Sequence, residues 1–255
     1  MSSYNELAES YDEGRFWEYD DPAHRIPTLA HVLRLKEKDV LLDVGCGTGY
    51  YLDLLMQRTG CRGIGVDPSE PMLRIARRRN SGLDARVGFA EKLPVPNGVI
   101  DALLCHHAAH HFADVPQFLR EGNRVLAYGG RIALITVSHK QMQCHPLYQY
   151  FPELLSIDVR RIPDVDVLSS WMSEIGFTQI EVQVVDRSSI QLSWDRVFDY
   201  ITRKFMSPMR LLTEAHFEAG RFAFEERVRA SGLAACPVES YSITNGVAEH
   251  LRSES

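Results

Sequence analysis

Paired cysteines are missing from this chain of 255 residues. The five it has, Cys46, Cys61, Cys105, Cys144 and Cys236, are scattered and form no CxxC pair. An odd number at wide spacing argues against a disulfide framework and for reduced thiols. Cysteine and histidine do not cluster at zinc-ligand spacing either, so no structural metal is expected. A basic tail is absent and the formal net charge is −6, which argues against duplex nucleic acid as a partner. No apolar run approaches a membrane span, and the opening "MSSYNELAESYDEGRFW" lacks an apolar signal core. The expectation is a cytoplasmic protein with no membrane association. Internal repeats and low-complexity linkers are lacking, so residues 1–255 read as a single domain, and a hydrophobic content of 45% is enough to build its core.

What is present is alternation. An amphipathic N-terminal stretch carries Tyr4, Leu7, Ala8 and Tyr11, and a second helix over 23–37, entered through Pro22, carries Ile26, Leu29, Ala30 and Leu33. Then "VLLDVG" reads as a buried strand, "YYLDLLMQR" as a helix and "CRGIGVD" as a second strand. "SEPMLRIARRR" reads as a helix capped by Ser69, "DARVGFA" as a third strand and "IDALLCHH" as a fourth. "DVPQFLREGNRVL" places Val115, Phe118, Leu119, Val125 and Leu126 on one helical face and is expected to end in the turn "AYGG" before a fifth strand, "RIALITV". Strands and helices alternating over 40–137 predict a parallel, doubly wound sheet. Beyond it, 139–163 reads as irregular and aromatic, "DVDVLSSWMSEIGF" as a helix and "TQIEVQVVD" as a strand. Residues 193–231 read as mainly helical, and "SYSITNGVAEH" as a last strand. The two helical insertions are expected to cover the carboxyl edge of the sheet, where ligands of such folds bind.

The turn "VGCGTGYY" invites a ligand. Glycines let backbone approach closely, and the following helix offers free N–H groups. Asp67, closing the second strand, can accept hydrogen bonds from both hydroxyls of a ribose. A dinucleotide turn would read G-x-G-x-x-G, whereas here Tyr50 and Tyr51 stand where its third glycine belongs. Asp43, two residues before Gly45, suits the amino group of a methionine moiety, reached through a water, better than a pyrophosphate. The spacing favours S-adenosylmethionine.

At this point "LLDVGCGTG", "GVDPSEPML", "GFAEKLPVPNGVIDALLCHHAAHHF" and "REGNRVLAYGGRIALIT" together resemble the class I S-adenosylmethionine-dependent methyltransferases, in their type 11 small-molecule group, over about residues 38–138. The resemblance implies an α/β, Rossmann-like, doubly wound seven-stranded sheet of order 3-2-1-4-5-7-6 with strand 7 antiparallel. Helical cap insertions, segments 1–20, 139–163 and 193–231, would surround the 38–138 core. It also implies roles. Gly45, Cys46 and Gly47 pass under the methionine and ribose; Asp67 holds the ribose hydroxyls; Pro68 and Met72 lie against adenine. Ala90 meets the adenine edge through its N–H, with Glu91 beside it as a possible stand-in for the acidic residue many relatives carry where this chain has Phe89. Tyr11 and Arg15 close over the cofactor from the N-terminal helix.

Four histidines stand in "CHHAAHHF". In the resembled fold that edge faces the transferable methyl group, which makes His106 and His107 candidates for a general base or a substrate contact, and His106 for a cofactor contact. His110 and His111 read as turn-capping residues. His106 and His110 have i, i+4 spacing but no acidic third ligand, so no metal site is assigned. The basic run "RIARRR" reads as a solvent-facing helix. Trp17, Tyr148, Phe151, Trp194 and Phe198 are pocket candidates that, taken one by one, core packing explains better. The activity implied is methyl transfer from S-adenosylmethionine to an O, N or C centre of a small organic acceptor. The alternatives are an RNA or protein methyltransferase, a non-catalytic S-adenosylmethionine-binding scaffold and, more distantly, a dehydrogenase. Neither the acceptor nor the oligomeric state is written in the sequence.

Overall fold

Leu41 and Leu42 are wholly buried in β1 (Val40–Val44), the first strand of the sheet. A strand covered on both faces reads as a continuous apolar run. The computed structural model describes residues 8–14, 22–185, 191–231, 235–237 and 241–248. Around β1 lie β2 (Arg62–Asp67), β3 (Asp84–Val87), β4 (Ile100–His106), β5 (Leu126–Thr136), β6 (Phe177–Val185) and β9 (Tyr241–Ala248), in the order β3-β2-β1-β4-β5-β9-β6. The first five strands run parallel, and β9 pairs antiparallel with both β5 and β6, Thr244 facing Leu134 on one side and Val182 on the other. This is the order that the family resemblance implies, its seventh strand antiparallel.

The helices have local causes. A short turn of helix, α1 (Tyr11–Gly14), follows a 3₁₀ turn over Ala8–Ser10, and α2 is Pro22–Val32. Helix α3 (Tyr50–Thr59) opens after Gly49 and stops at Gly60. The Ser69 side chain accepts from the Met72 N–H to start α4 (Glu70–Arg79), and Asp114 does the same with Gln117 for α5 (Val115–Val125). Phe118, Leu119 and Val125 of α5 and Met172 of α9 (Val165–Ile175) fill one side of the sheet. Ile26, Leu29 and Leu33 pack with Leu52 and Leu55 of α3 on the other.

Three expectations need correction. "AYGG" is not a turn between helix and strand. Leu126 is already extended while its N–H closes α5 on Gly122, and β5 takes in the glycines through a register jump between Ile100↔Leu126 and Ala102↔Arg131. Residues 139–163 are not irregular but form α6 (His139–Cys144), α7 (Pro146–Tyr150) and α8 (Pro152–Arg161). Their prolines sit at the first helical positions, where the missing N–H has no intrahelical partner to lose. The third strand stops at Val87, short of the Ala90 expected.

A small sheet, unforeseen, pairs β7 (Gln191–Ser193) with β8 (Ala235–Pro237). Helices α10 (Trp194–Thr202) and α11 (Glu214–Ser231) then meet α6, α7 and α8 in a third core that includes Met142, Leu147, Phe151, Val197 and Phe217. Tyr148, Phe151, Trp194 and Phe198 all belong to this core.

Candidate functional site

A shallow cleft, open to solvent, lies at the carboxyl end of β1 and β4. Its walls bring together Tyr11, Asp43, Gly45, Cys46, Tyr51 and His106. Gly45 and Gly47 adopt φ of +76° and +53°, the left-handed region that side chains disfavour. A Cβ on Gly45 would stand 2.4 Å from that of Ala108, so this glycine is demanded by packing. A Cβ on Gly47 would meet only the Tyr11 ring, at 3.8 Å, an ordinary contact, so packing does not demand this glycine.

The Gly47 N–H donates to Asp67 Oδ2 at 2.9 Å, and the Ser69 N–H to Oδ1 at 2.8 Å. Those two bonds fix the carboxylate plane and use two of its roughly four lone-pair sites. Burial raises the Asp67 pKa, and the two N–H groups hold it partly down. Pro68 beyond it is exposed, while Met72 is buried. Ala90 is buried among core residues.

Glu91 is bonded to the start of the next helix. Its Oε1 accepts from the N–H groups of Ala113 (2.7 Å) and Asp114 (3.2 Å), tying the loop that starts α5. Cys46 packs its thiol toward Gly65 of β2, and burial pushes that thiol well up, as do the Asp43 and Asp67 carboxylates. Cys105 is raised by the same burial and by Asp43.

His106 is buried at the end of β4, stacked on Tyr51 with centroids 3.8 Å apart. His107 meets it edge-on at 4.8 Å and carries a φ of +49°. Arg15 and Trp17 lie outside the described residues.

Residues 42–134 match the methyltransferase domain family. The glycine turn and the acidic end of β2 both fall within that match. Residues 42–134 carry a methyltransferase domain, and the sheet around them has the order of the class I S-adenosylmethionine-dependent methyltransferases. This methyltransferase is 28% identical to the uncharacterized methyltransferase YcgJ of Bacillus subtilis over 75% of this chain and 76% of the relative. It is 38% identical to the demethylmenaquinone methyltransferase of Thermus thermophilus over 37% of this chain, and the match spans 46% of that relative, less than half its length. Among solved structures, a methyltransferase assigned to antibiotic biosynthesis in Anabaena variabilis superposes with a TM-score of 0.71 at 23% identity, over 88% of this chain and 96% of that one, a likeness of fold.

Sequence reasoning missed two parts of this methyltransferase's site. The first is the anchor of the N-terminal segment. Thr48 Oγ1 donates to Asp12 Oδ1 at 2.6 Å, Arg79 pairs with the other Asp12 oxygen and bonds the Thr48 carbonyl, and Arg78 holds Glu9. The run "RIARRR" is therefore not merely solvated: its last two arginines hold the N-terminal turn over the glycine loop. The second is Arg25, wholly buried on α2. Its place in the helix was a usable signal, because Arg25, Leu29 and Val32 share one face.

Proposed function

We propose that this methyltransferase transfers a methyl group from S-adenosylmethionine to an O, N or C centre of a small organic molecule. The observation that carries the reading is the Gly47–Asp67 hydrogen bond, which holds a half-buried carboxylate beside a glycine turn. In this reading Gly45, Cys46 and Gly47 line the methionine and ribose, and Asp67 receives the ribose hydroxyls through its remaining lone pairs. Asp43 serves the methionine amino group, Pro68 and Met72 flank adenine, and Ala90 offers its N–H. Tyr11, with Arg15, covers the cofactor, and His106 and His107 face the acceptor. Glu91, occupied with α5, is left with a neighbouring place at most. S-adenosylmethionine supplies a sulfonium-bound methyl group already activated for in-line displacement.

The helical segments 139–163 and 193–231 form the acceptor cap in this reading, with 1–20 as its third part. Support for a small acceptor comes from the acidic net charge and from a relative named for demethylmenaquinone. No helix among the described residues is long and apolar enough to cross a membrane, and a cytoplasmic setting belongs to the same proposal.

Calorimetric titration with S-adenosylhomocysteine, beside NAD and an Asp67→Ala control, tests the cofactor site. Binding of S-adenosylhomocysteine alone, weakened by the substitution, is expected; equal binding of NAD would return the dehydrogenase reading. Methylated product from a panel of small amines, phenols and carbon acids separates an enzyme from a cofactor-binding scaffold. Label transferred only to total RNA or protein would replace the small acceptor.

A further inference from the structure

Arg25 is the bulkiest wholly buried side chain of the described residues, 1% exposed. Its Nη1 donates to the Tyr51 hydroxyl at 3.0 Å and lies 3.1 Å from Nε2 of His106. The guanidinium carbon stands 5.7 Å from the centre of the Tyr51 ring, which itself stacks on His106 at 26° from coplanar. A guanidinium has only protons to offer, so Nε2 must accept, and the proton of the neutral ring resides on Nδ1.

We infer that Arg25 is a positioning residue that fixes His106 as the uncharged Nδ1–H tautomer and withdraws it from service as a general base. To protonate Nε2, the Arg25 bond must break and two cations must face one another away from bulk water. Asp43, on the neighbouring β1 and in the same cleft, favours positive charge there, and Arg25 already supplies it. Tyr51 meets the ring face and His107 its edge, while Tyr11, Cys46 and Tyr50 line the cleft as neutral hydroxyls and a neutral thiol. The direct bond at Nε2 therefore decides. With Nε2 held by Arg25 and Nδ1 protonated, His106 has no basic nitrogen to offer, and a proton lost by the acceptor does not go to Nε2. That last statement rests on the proposed methyl transfer; the tautomer itself does not.

The test is long-range proton–nitrogen NMR of the full chain labelled with ¹⁵N-histidine, with the His106 signals assigned by their loss in His106→Gln. The wild-type ring is expected to show the Nδ1–H pattern and no inflection where a free imidazole titrates, at about 6.5. Arg25→Met is expected to restore an inflection. A wild-type His106 carrying its proton on Nε2, or titrating as a free imidazole, would overturn the inference. So would a folded Arg25→Met protein whose His106 still fails to titrate, because burial alone would then explain the neutral ring. Should Arg25→Met not fold, the wild-type spectrum and Arg25→Lys decide, the lysine being expected to leave Nε2 unbonded and titratable. S-adenosylhomocysteine titration of the same wild-type sample keeps the two questions apart: failure to bind would remove the methyl-transfer reading and leave the tautomer assignment standing.

Discussion

The amide of Gly47 and the carboxylate of Asp67, twenty residues apart in sequence, are joined by a 2.9 Å hydrogen bond that ties the glycine turn after β1 to the end of β2. Two adjacent parallel strands thus hold one polar constellation, because their carboxyl ends lie side by side in the register that puts Val44 opposite Val66.

Asp67→Ala removes the acceptor of that bond and of the Ser69 bond. A hydrogen bond to a charged group is worth about 1.5–3 kcal/mol, so S-adenosylhomocysteine affinity is expected to fall by roughly 10–100-fold. Calorimetry reads the loss, and thermal melting checks that the fold survives. Unchanged affinity would place the ribose elsewhere.

The pH dependence of binding follows from the same carboxyl. Burial raises its native pKa above 3.8, opposed by the Ser69 and Gly47 N–H groups. For a carboxyl raised on folding, the contribution to stability is present below the unfolded value and lost as pH rises through the native one. Ligand binding has the opposite preference, since ribose hydroxyls need the ionised form. As pH falls through the raised native value, S-adenosylhomocysteine affinity should drop in the wild type and stay flat in Asp67→Ala. Parallel curves for the two proteins would assign the acid loss to another group.

The two glycines should fail differently. In Gly45→Ala the added methyl runs into Ala108, an overpacking of the kind that costs about 1–3 kcal/mol, so the melting temperature should fall. In Gly47→Ala the methyl meets only the Tyr11 ring, at an ordinary 3.8 Å. That protein bears only the roughly 1–2 kcal/mol strain of a left-handed alanine, and its main loss should be in S-adenosylhomocysteine affinity. Equal losses of stability with unchanged affinity would show that no ligand lies against Gly47.

Asp12 joins Thr48 Oγ1 to Arg79. Asp12→Ala is expected to loosen the N-terminal turn by about 1–3 kcal/mol while the sheet stays intact. Limited proteolysis should then cut ahead of residue 22 sooner than in the wild type, leaving a protected core fragment. An unaltered digestion pattern would mean that Arg78–Glu9 suffices to hold the segment.

Much of this was legible in the chain itself. Continuous apolar runs such as "VLLDV" announce strands buried on both faces, and Ser69, Asp114 and Gly176 mark helix ends through bonds their own neighbours supply. The errors arose where a local signal had two meanings. Pro146 and Pro152 look like breakers but open helices, and the glycines of "AYGG" look like a stop but lie within β5. Glu91 was placed near adenine by resemblance, and its bonds to Ala113 and Asp114 depend on a loop more than twenty residues away.

By itself the sequence determined the alternation of strands and helices, the glycine turn and the acidic residue that answers it, because these rest on periodicity and short spacings. Only the tertiary structure decided which arginines face water and which hold the site. Arg78 and Arg79 are drawn to Glu9 and Asp12, and Arg25 is buried against Tyr51 and His106. A charge shows its purpose only when its partner is known, and here the partners lie 26 to 81 residues away, brought near by the packing of helices on the sheet.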